Sequence, residues 1–316
     1  MSRPPSSDGG GNHDLAGVDR RTERADRAPG DNEGRSVDQD VQALPRRRAG
    51  TLDRPGCRIY YEVTGSGPAI IFAHGLGGNH MSWWQQVAHF APRYTCVTFA
   101  HRGFAPSSPL PHGPDPAQYG DDLAALVDHL GLTDLRIVAQ SMGGWSAVEY
   151  ALRRPPGLKA IVLAATTGSL DPKRLPEPFA ASMREWSETA ERIQAMLAAR
   201  GIHPAAGLRM AHEQPGLHLL YRHIDEMNAA LDKQALRQRL MAGRVRSPEE
   251  LAGVACKVLL IANDEDSVIP PPAMDGIASA VPGARCVHIL DAAHSAYFER
   301  PAVFNRIVED FFLQLD

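Results

Sequence analysis

The chain has 316 residues, of which 43% are hydrophobic and 22% are charged, and its formal net charge at pH 7 is −4. This length accommodates one sizeable α/β domain with an insertion. The negative charge argues against a general nucleic-acid binder, and no apolar run reaches the length of a membrane span, so we expect neither nucleic acid nor membrane as a partner.

Residues 1–50 differ in composition from the rest of the chain. They are rich in Arg, Asp, Gly, Pro and Ser and contain almost no aromatic or periodic apolar residues. Such a segment cannot bury enough apolar surface to order itself, so we predict a disordered tail. It also lacks the apolar core of a secretory signal peptide. The cysteines show no paired spacing, which favours buried thiols and a cytoplasmic protein; they are Cys57, Cys96, Cys256 and Cys286.

Strands and helices alternate along the chain from about Leu52. The predicted order is strand, strand, helix, strand, helix, strand, helix, strand. Helices are predicted over residues 82–90 and 117–130, the second with an apolar face. This alternation predicts an α/β fold with a mostly parallel, doubly wound sheet that carries helices on both faces.

The strand pattern disappears between about Asp171 and Gly253. Helical periodicity replaces it over residues 176–200 and again over 216–241. We therefore predict a core formed by residues 51–170 and 253–316, with residues 171–252 inserted as a helical lid. A lid of this kind covers a site, excludes water and shapes the substrate pocket.

The most informative segment is Ile137–Trp145, I-V-A-Q-S-M-G-G-W. A buried strand ends here, and a glycine pair opens a helical pattern directly after Ser141. A serine held at a sharp turn from strand to helix projects its hydroxyl above the sheet edge, and small neighbours are needed there. The usual pattern is G-x-S-x-G, and Ala139 takes the first small position. The segment therefore predicts Ser141 as a nucleophile.

An acyl-transfer serine needs a base, a carboxylate that orients the base, and N–H donors for the oxyanion. Three adjacent acids follow the strand at residues 257–262, and the residues alone leave the choice open: Asp264, Glu265 and Asp266. Two histidines come later in the chain. His288 lies inside a predicted strand, whereas His294 lies in the loop just past it, from which it can reach a neighbouring nucleophile.

Four motifs in this order resemble those of the α/β-hydrolase superfamily, in its lid-containing group with a serine nucleophile. They are His74-Gly75-Leu76-Gly77-Gly78, Ala139-Gln140-Ser141-Met142-Gly143, Asp266-Ser267-Val268-Ile269-Pro270 and His294-Ser295-Ala296-Tyr297-Phe298-Glu299-Arg300-Pro301. Together they span most of residues 52–316. The resemblance implies the α/β-hydrolase fold, and it selects Asp266 because the family's aspartate stands four residues before that proline.

The resemblance also implies a role for each matching residue. Ser141 is the expected nucleophile, His294 the base and Asp266 the residue that orients the base. The backbone N–H groups of Leu76 and Met142 are expected to form the oxyanion hole, since Met142 opens a helix and its N–H is free of intrahelical bonding. Further residues are expected to line the substrate pocket: His74, Gly75, Gln140, Trp145 and Trp186.

One loop departs from the family pattern. The segment Phe99-Ala100-His101-Arg102-Gly103-Phe104-Ala105-Pro106-Ser107 resembles the family's D-x-R-G-x-G-x-S loop. Ala100 replaces the aspartate and Ala105 replaces the second glycine. We expect these changes to alter the local shape of the pocket and to leave the chemistry unchanged.

The function implied is hydrolysis of a small or medium carboxylic ester or lactone through an acyl-enzyme. Two alternatives use the same triad: hydrolytic C–C bond cleavage of a diketone-type metabolite, and cofactor-free perhydrolase activity. A third alternative is a small-molecule receptor on a hydrolase scaffold. The histidines lack metal-site spacing and no nucleotide-binding glycine motif is present, so we expect no metal and no cofactor. The natural substrate and the oligomeric state cannot be inferred from the sequence.

Overall fold

The computed structural model describes residues 45–110 and 112–315. The strands in these residues are β1 (Arg47–Arg54), β2 (Cys57–Thr64), β3 (Ala69–Ala73), β4 (Thr95–Phe99), β5 (Leu135–Gln140), β6 (Leu158–Ala164), β7 (Lys257–Asn263) and β8 (Arg285–Ile289). They form one sheet in the order β1-β2-β4-β3-β5-β6-β7-β8. The pairs β1–β2 and β2–β4 are antiparallel and the other pairs are parallel, which confirms the predicted mostly parallel sheet.

Helices connect the parallel strands. Those of the described residues are α1 (Trp84–Phe90), α2 (Tyr119–Leu130), α3 (Gly143–Ala151), α4 (Phe179–Ala199), α5 (Gly207–Glu213), α6 (Pro215–Glu226), α7 (Lys233–Ala242), α8 (Pro271–Ala280), α9 (Ala296–Glu299) and α10 (Pro301–Phe312). None of them combines the length and the apolar character that a bilayer-crossing helix needs.

The central strands bury both of their faces. In β3, Ile71 packs into the core that contains α2, α3 and α8, whereas Ile70 and Phe72 pack into the core that contains α1 and α10. Successive side chains of a strand point to opposite faces, so a strand that is apolar at every position fills two cores at once. The carboxyl ends of these parallel strands meet at one edge, which is where α/β sheets carry their sites.

The amino-terminal end of the core differs from the sequence prediction. Strand β1 begins at Arg47 and pairs antiparallel with β2, so the last residues of the predicted tail over 1–50 belong to the sheet. Arg47 hydrogen-bonds to Glu62 across the hairpin, and this contact helps to hold the mostly polar strand β1 in the sheet. The hairpin also adds one strand to the predicted order. Residues 1–44 lie outside the described residues.

Four helices stand between β6 and β7, in the segment for which sequence periodicity predicts an insertion. They are α4, α5, α6 and α7, and they are preceded by a short 3-10 helix, Pro172–Arg174. Leu236 and Leu240 of α7 are buried and share a small apolar cluster with Met142 and Trp145 at the start of α3. The insert is therefore packed directly over the end of β5.

Candidate active site

Ser141 occupies a strained turn at the end of β5. Its φ angle is 51°, in the left-handed region that side chains other than glycine rarely adopt. The turn needs glycine after it, because a Cβ on Gly143 would overlap the carbonyl oxygen of Ala73 and one on Gly144 would overlap the hydroxyl of Thr166. The hydroxyl of Thr166, in the segment just after β6, donates to the carbonyl oxygen of Ser141 at 2.5 Å and so holds the turn.

His294 and Asp266 form a buried pair beside this turn. The Nδ1 atom of His294 lies 2.8 Å from the Oδ2 atom of Asp266, and both side chains are almost fully buried. The other carboxylate oxygen of Asp266 accepts from the backbone N–H groups of Val268, at 2.7 Å, and Ile269, at 3.0 Å. Both oxygens are thus occupied, which fixes the carboxylate and leaves the Nε2 atom of His294 available for other chemistry.

The three adjacent acids after β7 face three different partners. Asp266 contacts His294, whereas the Oδ1 atom of Asp264 lies 2.7 Å from the Nδ1 atom of His288. The third acid, Glu265, bonds to the guanidinium group of an insert arginine at 2.5 Å and so points toward solvent. The geometry therefore separates acids that the sequence alone leaves equivalent.

Two backbone N–H groups flank Ser141 without a partner. Leu76 follows β3 and Met142 precedes α3, and both residues line the same cavity as Ser141 and His294. In the part of the chain that the structure describes, neither amide donates to a protein acceptor. Free amides at a helix start carry partial positive charge and bind developing negative charge.

His74 supports the loop that carries Leu76 and does not line the cavity, in contrast to the sequence prediction. It is fully buried, with its Nδ1 atom 2.8 Å from the carbonyl oxygen of Gly75. Its Nε2 atom accepts from the backbone N–H of His101 at 3.0 Å. Burial lowers the pKa of His74 to about 3, so the ring is neutral and can accept at Nε2 while Nδ1 donates.

Gly75 and Trp186, two further predicted pocket residues, also lie outside the cavity lining. A Cβ on Gly75 would overlap the amide of Gln140, so glycine permits the close approach of the two loops. The indole N–H of Trp186 donates to the carbonyl oxygen of Asp266 at 2.8 Å. Trp186 therefore stabilises the loop over residues 264–270, called the acid loop below, because its indole N–H is used for this backbone contact and not for the cavity.

Gln140 and Trp145 do line the cavity, which has a volume of about 210 Å³. The side-chain amide of Gln140 donates to the carbonyl oxygen of His294 at 3.2 Å and so ties the serine turn to the histidine loop. Tyr221 of the insert also lines the cavity. Sequence reasoning missed the charged and histidine side chains that the insert adds to this lining, because no motif marks them: His203, Asp225, Lys233, Arg237 and Arg244.

The loop that departs from the family pattern is held by other groups. Ala100 is fully buried, and its carbonyl oxygen accepts from the hydroxyl of Ser107 at 2.7 Å. Arg102 makes two hydrogen bonds of 2.5 Å to Asp122 of α2, a bidentate contact that fixes the loop. Ala105 donates through its backbone N–H to an asparagine side chain of the insert at 2.8 Å. The loop is therefore ordered without the family's aspartate.

One group in the described residues brings three potential metal ligands together. Asp275, Cys286 and His288 offer ligand atoms within 4.8 Å of one another, outside the cavity lining. Both ring nitrogens of His288 already contact carboxylates, with Nε2 at 3.0 Å from Asp275 and Nδ1 at 2.7 Å from Asp264. An imidazolium donates at both nitrogens, so ion pairing accounts for this arrangement.

Comparison with known proteins agrees with this fold. The protein-family model described as the alpha/beta hydrolase fold matches residues 68–301 of the sequence. The chain belongs to the α/β-hydrolase family. This α/β hydrolase is 27% identical over 262 residues to 3-oxoadipate enol-lactonase 2 of Acinetobacter baylyi, which covers 82% of the chain and 94% of the relative. It is therefore an enzyme of the hydrolase class.

Solved structures share the fold of this hydrolase. A thermophilic esterase from Thermogutta terrifontis superposes with a TM-score of 0.65 at 22% identity, covering 86% of this chain and 99% of the esterase. The enol-lactonase from Burkholderia xenovorans superposes with a TM-score of 0.64 at 22% identity, covering 84% of this chain and 100% of that enzyme. At such identities the likeness concerns the fold alone.

Proposed function

We propose that this hydrolase cleaves a small or medium carboxylic ester or lactone through an acyl-enzyme on Ser141. The observation that carries the proposal is the buried pair of His294 and Asp266, at 2.8 Å, beside a serine held in a left-handed turn on the same cavity. A neutral imidazole oriented by a fixed carboxylate is the base that an activated serine requires.

The reaction starts when the Oγ atom of Ser141 attacks the substrate carbonyl carbon. His294 takes the hydroxyl proton at Nε2, and Asp266 holds the tautomer and stabilises the imidazolium. The tetrahedral oxyanion accepts from the free N–H groups of Leu76 and Met142, each worth about 3 kcal/mol of transition-state stabilisation. Collapse breaks the bond to the alcohol oxygen, which takes the proton back from His294.

Deacylation repeats these steps with water as the nucleophile. His294 removes a proton from the water, the resulting hydroxide attacks the acyl carbon, and Ser141 leaves as the alcohol with that proton. In a lactone both products remain one molecule, a hydroxy acid. The cavity of about 210 Å³ supports a substrate of small or medium size.

We assign the lid to the inserted helices over residues 171–252. The packing of Leu236 and Leu240 against Met142 and Trp145 supports this assignment, because a cover anchored at the serine turn excludes water from it. The relative named as an enol-lactonase, at 27% identity, supports the same bond type. The polar side chains that the insert adds to the cavity are where the choice of substrate would be made.

The first test is turnover of p-nitrophenyl esters from acetyl to decanoyl by the wild type and by Ser141→Ala. We expect saturable turnover, a loss of about 10³-fold or more in kcat in the variant, and a chain-length optimum set by the cavity. Ser279→Ala is the matched control, since Ser279 bonds within α8 and lies outside the cavity. Equal turnover by Ser141→Ala would overturn the proposal.

The acid assignment has its own matched pair in the same assay. Asp266→Asn should lose most of kcat because it removes the group that holds the tautomer of His294. Asp264→Asn should retain turnover, because Asp264 contacts His288 instead. The reverse outcome would make Asp264 the acid.

A further inference from the structure

Arg244 lies on the proposed catalytic cavity and forms no ion pair with a carboxylate of the described residues. It follows α7 in the insert and contributes to the cavity lining together with Ser141 and His294. Within residues 45–110 and 112–315, no side chain or carbonyl accepts from its guanidinium group, and its Nε atom is buried without a partner. A buried donor without an acceptor is costly, so native structures rarely keep one without a use.

The other charges on the cavity do not neutralise Arg244. Lys233 is paired with Asp225, with 2.6 Å between its ammonium nitrogen and the carboxylate. Burial lowers the pKa of His203 to about 4, so this ring adds no charge at neutral pH. Arg237 also lines the cavity but is exposed, where water screens its charge. The lid side of the cavity is therefore positive overall.

Packing holds the guanidinium group of Arg244 in place. Its Cζ atom lies 5.4 Å from the ring centroid of Trp145, which belongs to the helix that starts just after Ser141. Contact with an aromatic face orients a guanidinium plane and leaves its N–H edge free for a ligand.

Burial lowers the pKa of Arg244, whereas the negative charge of Asp171 raises it. Asp171 forms its ion pair with Arg174, at 3.6 Å, and not with Arg244.

We propose that the substrate is an ester or lactone that carries a free carboxylate, and that Arg244 binds this carboxylate while Ser141 attacks the reacting carbonyl. The planar N–H edge of an arginine matches the two oxygens of a carboxylate. This inference rests on the proposed function, and it makes Arg244 a specificity residue supplied by the lid. A low-dielectric cavity strengthens such a pair relative to water.

The kinetic test compares two p-nitrophenyl esters of equal chain length, one with a methyl end and one with a free carboxylate end. The readout is the ratio of kcat/KM for the carboxylated ester to that for the neutral ester. Arg244→Gln should lower this ratio by about tenfold or more, mainly through KM, and Arg244→Lys should lower it less. Arg222→Gln is the matched control, because Arg222 is an exposed lid arginine paired with Glu226.

Because each variant is compared with itself on two esters, a general loss of folding cancels from the ratio. A ratio unchanged by Arg244→Gln, or lowered equally by Arg222→Gln, would overturn the assignment.

A binding measurement separates this inference from the proposed function. Isothermal titration calorimetry on Ser141→Ala measures the affinity for a linear dicarboxylate and for the monocarboxylate of equal chain length, and this measurement requires no turnover. We expect the dicarboxylate to bind about tenfold more tightly, and we expect that preference to disappear when Arg244→Gln is added. Equal affinity for the two acids would refute the anion site even if Ser141 proves to be the nucleophile. A clear preference would support it even if esters are not turned over.

Discussion

Ser141 adopts a backbone conformation that its side chain makes unfavourable. Its φ of 51° lies in the left-handed region, which costs a residue with a Cβ roughly 1–2 kcal/mol. The glycines after the turn make this conformation possible, because a Cβ on Gly143 would overlap Ala73 and a Cβ on Gly144 would overlap Thr166. Such strain is typical of a functional turn, because it lifts the hydroxyl above the sheet edge.

Two inactive variants of this residue should therefore differ in stability. Ser141→Gly should have a free energy of unfolding about 1 kcal/mol higher than Ser141→Ala, because glycine adopts a positive φ without a steric penalty. Urea denaturation of both proteins measures the difference. At an ordinary helical or extended position alanine would be the more stable of the two, so that result would show that the turn is relaxed in solution.

Local motifs made the residues around the serine turn predictable. Each of the four motifs is a short run whose spacing is set by its own backbone turn. The structure brings Ser141 and His294 to one cavity, and Asp266 contacts His294. The role of His74 was not predictable in this way. A histidine next to a glycine-rich loop can face the cavity or the core, and only the contact with His101 reveals which it does.

Helix α4 contacts the acid loop and does not line the cavity. The indole N–H of Trp186 donates to the carbonyl oxygen of Asp266 at 2.8 Å. Gln194, two turns further along, donates to the carbonyl oxygen of Ser267. The helix therefore holds two successive residues of the loop that positions the carboxylate.

Trp186→Phe keeps an aromatic side chain, although a smaller one, and removes the N–H donor. We expect kcat to fall by about fivefold, equivalent to ~1 kcal/mol, because the acid loop loses one fixed contact. The chain-length optimum on p-nitrophenyl esters should not move, since Trp186 does not line the cavity. Trp84→Phe is the control, because Trp84 is exposed on α1. A shifted chain-length optimum would show that Trp186 lines the cavity.

Helix periodicity predicted that the insert is helical but not what its side chains face. The apolar spacing of residues 216–241 is compatible with a lid core or with a cavity wall, and the choice depends on packing against the sheet edge. Arg244 shows the same limit, because it follows a helix and belongs to no motif. Its contact with Trp145 joins residues far apart in the chain, which no local pattern encodes.

The whole molecule contains buried neutral histidines that couple its stability to pH. Burial, together with the neighbouring His74, lowers the pKa of His101 well below 6.5. In the unfolded chain histidine titrates near its ordinary pKa of about 6.5. Below that pH the unfolded state binds a proton that the folded state rejects, so this term stabilises the fold at neutral pH and is lost as the pH falls.

Replacing His101 should therefore flatten the dependence of stability on pH. In His101→Gln, the difference in unfolding free energy between pH 7 and pH 5 should be smaller than in the wild type. His288→Gln is a control of opposite sign. Partial burial lowers the pKa of His288, but its hydrogen bonds to Asp275 and Asp264 raise it overall, so its removal should not shrink the difference. An unchanged difference in His101→Gln would mean that folding does not lower the pKa of His101.

We propose Ser141 as the nucleophile of an acyl-transfer reaction, so its removal should abolish most of the turnover. The ratio of kcat between the wild type and Ser141→Ala on the best ester of the acetyl-to-decanoyl series measures this loss. We predict a ratio of about 10³ or more, with Ser279→Ala close to the wild type. A ratio near one, with measurable wild-type turnover, would contradict the claim and place the chemistry on another group.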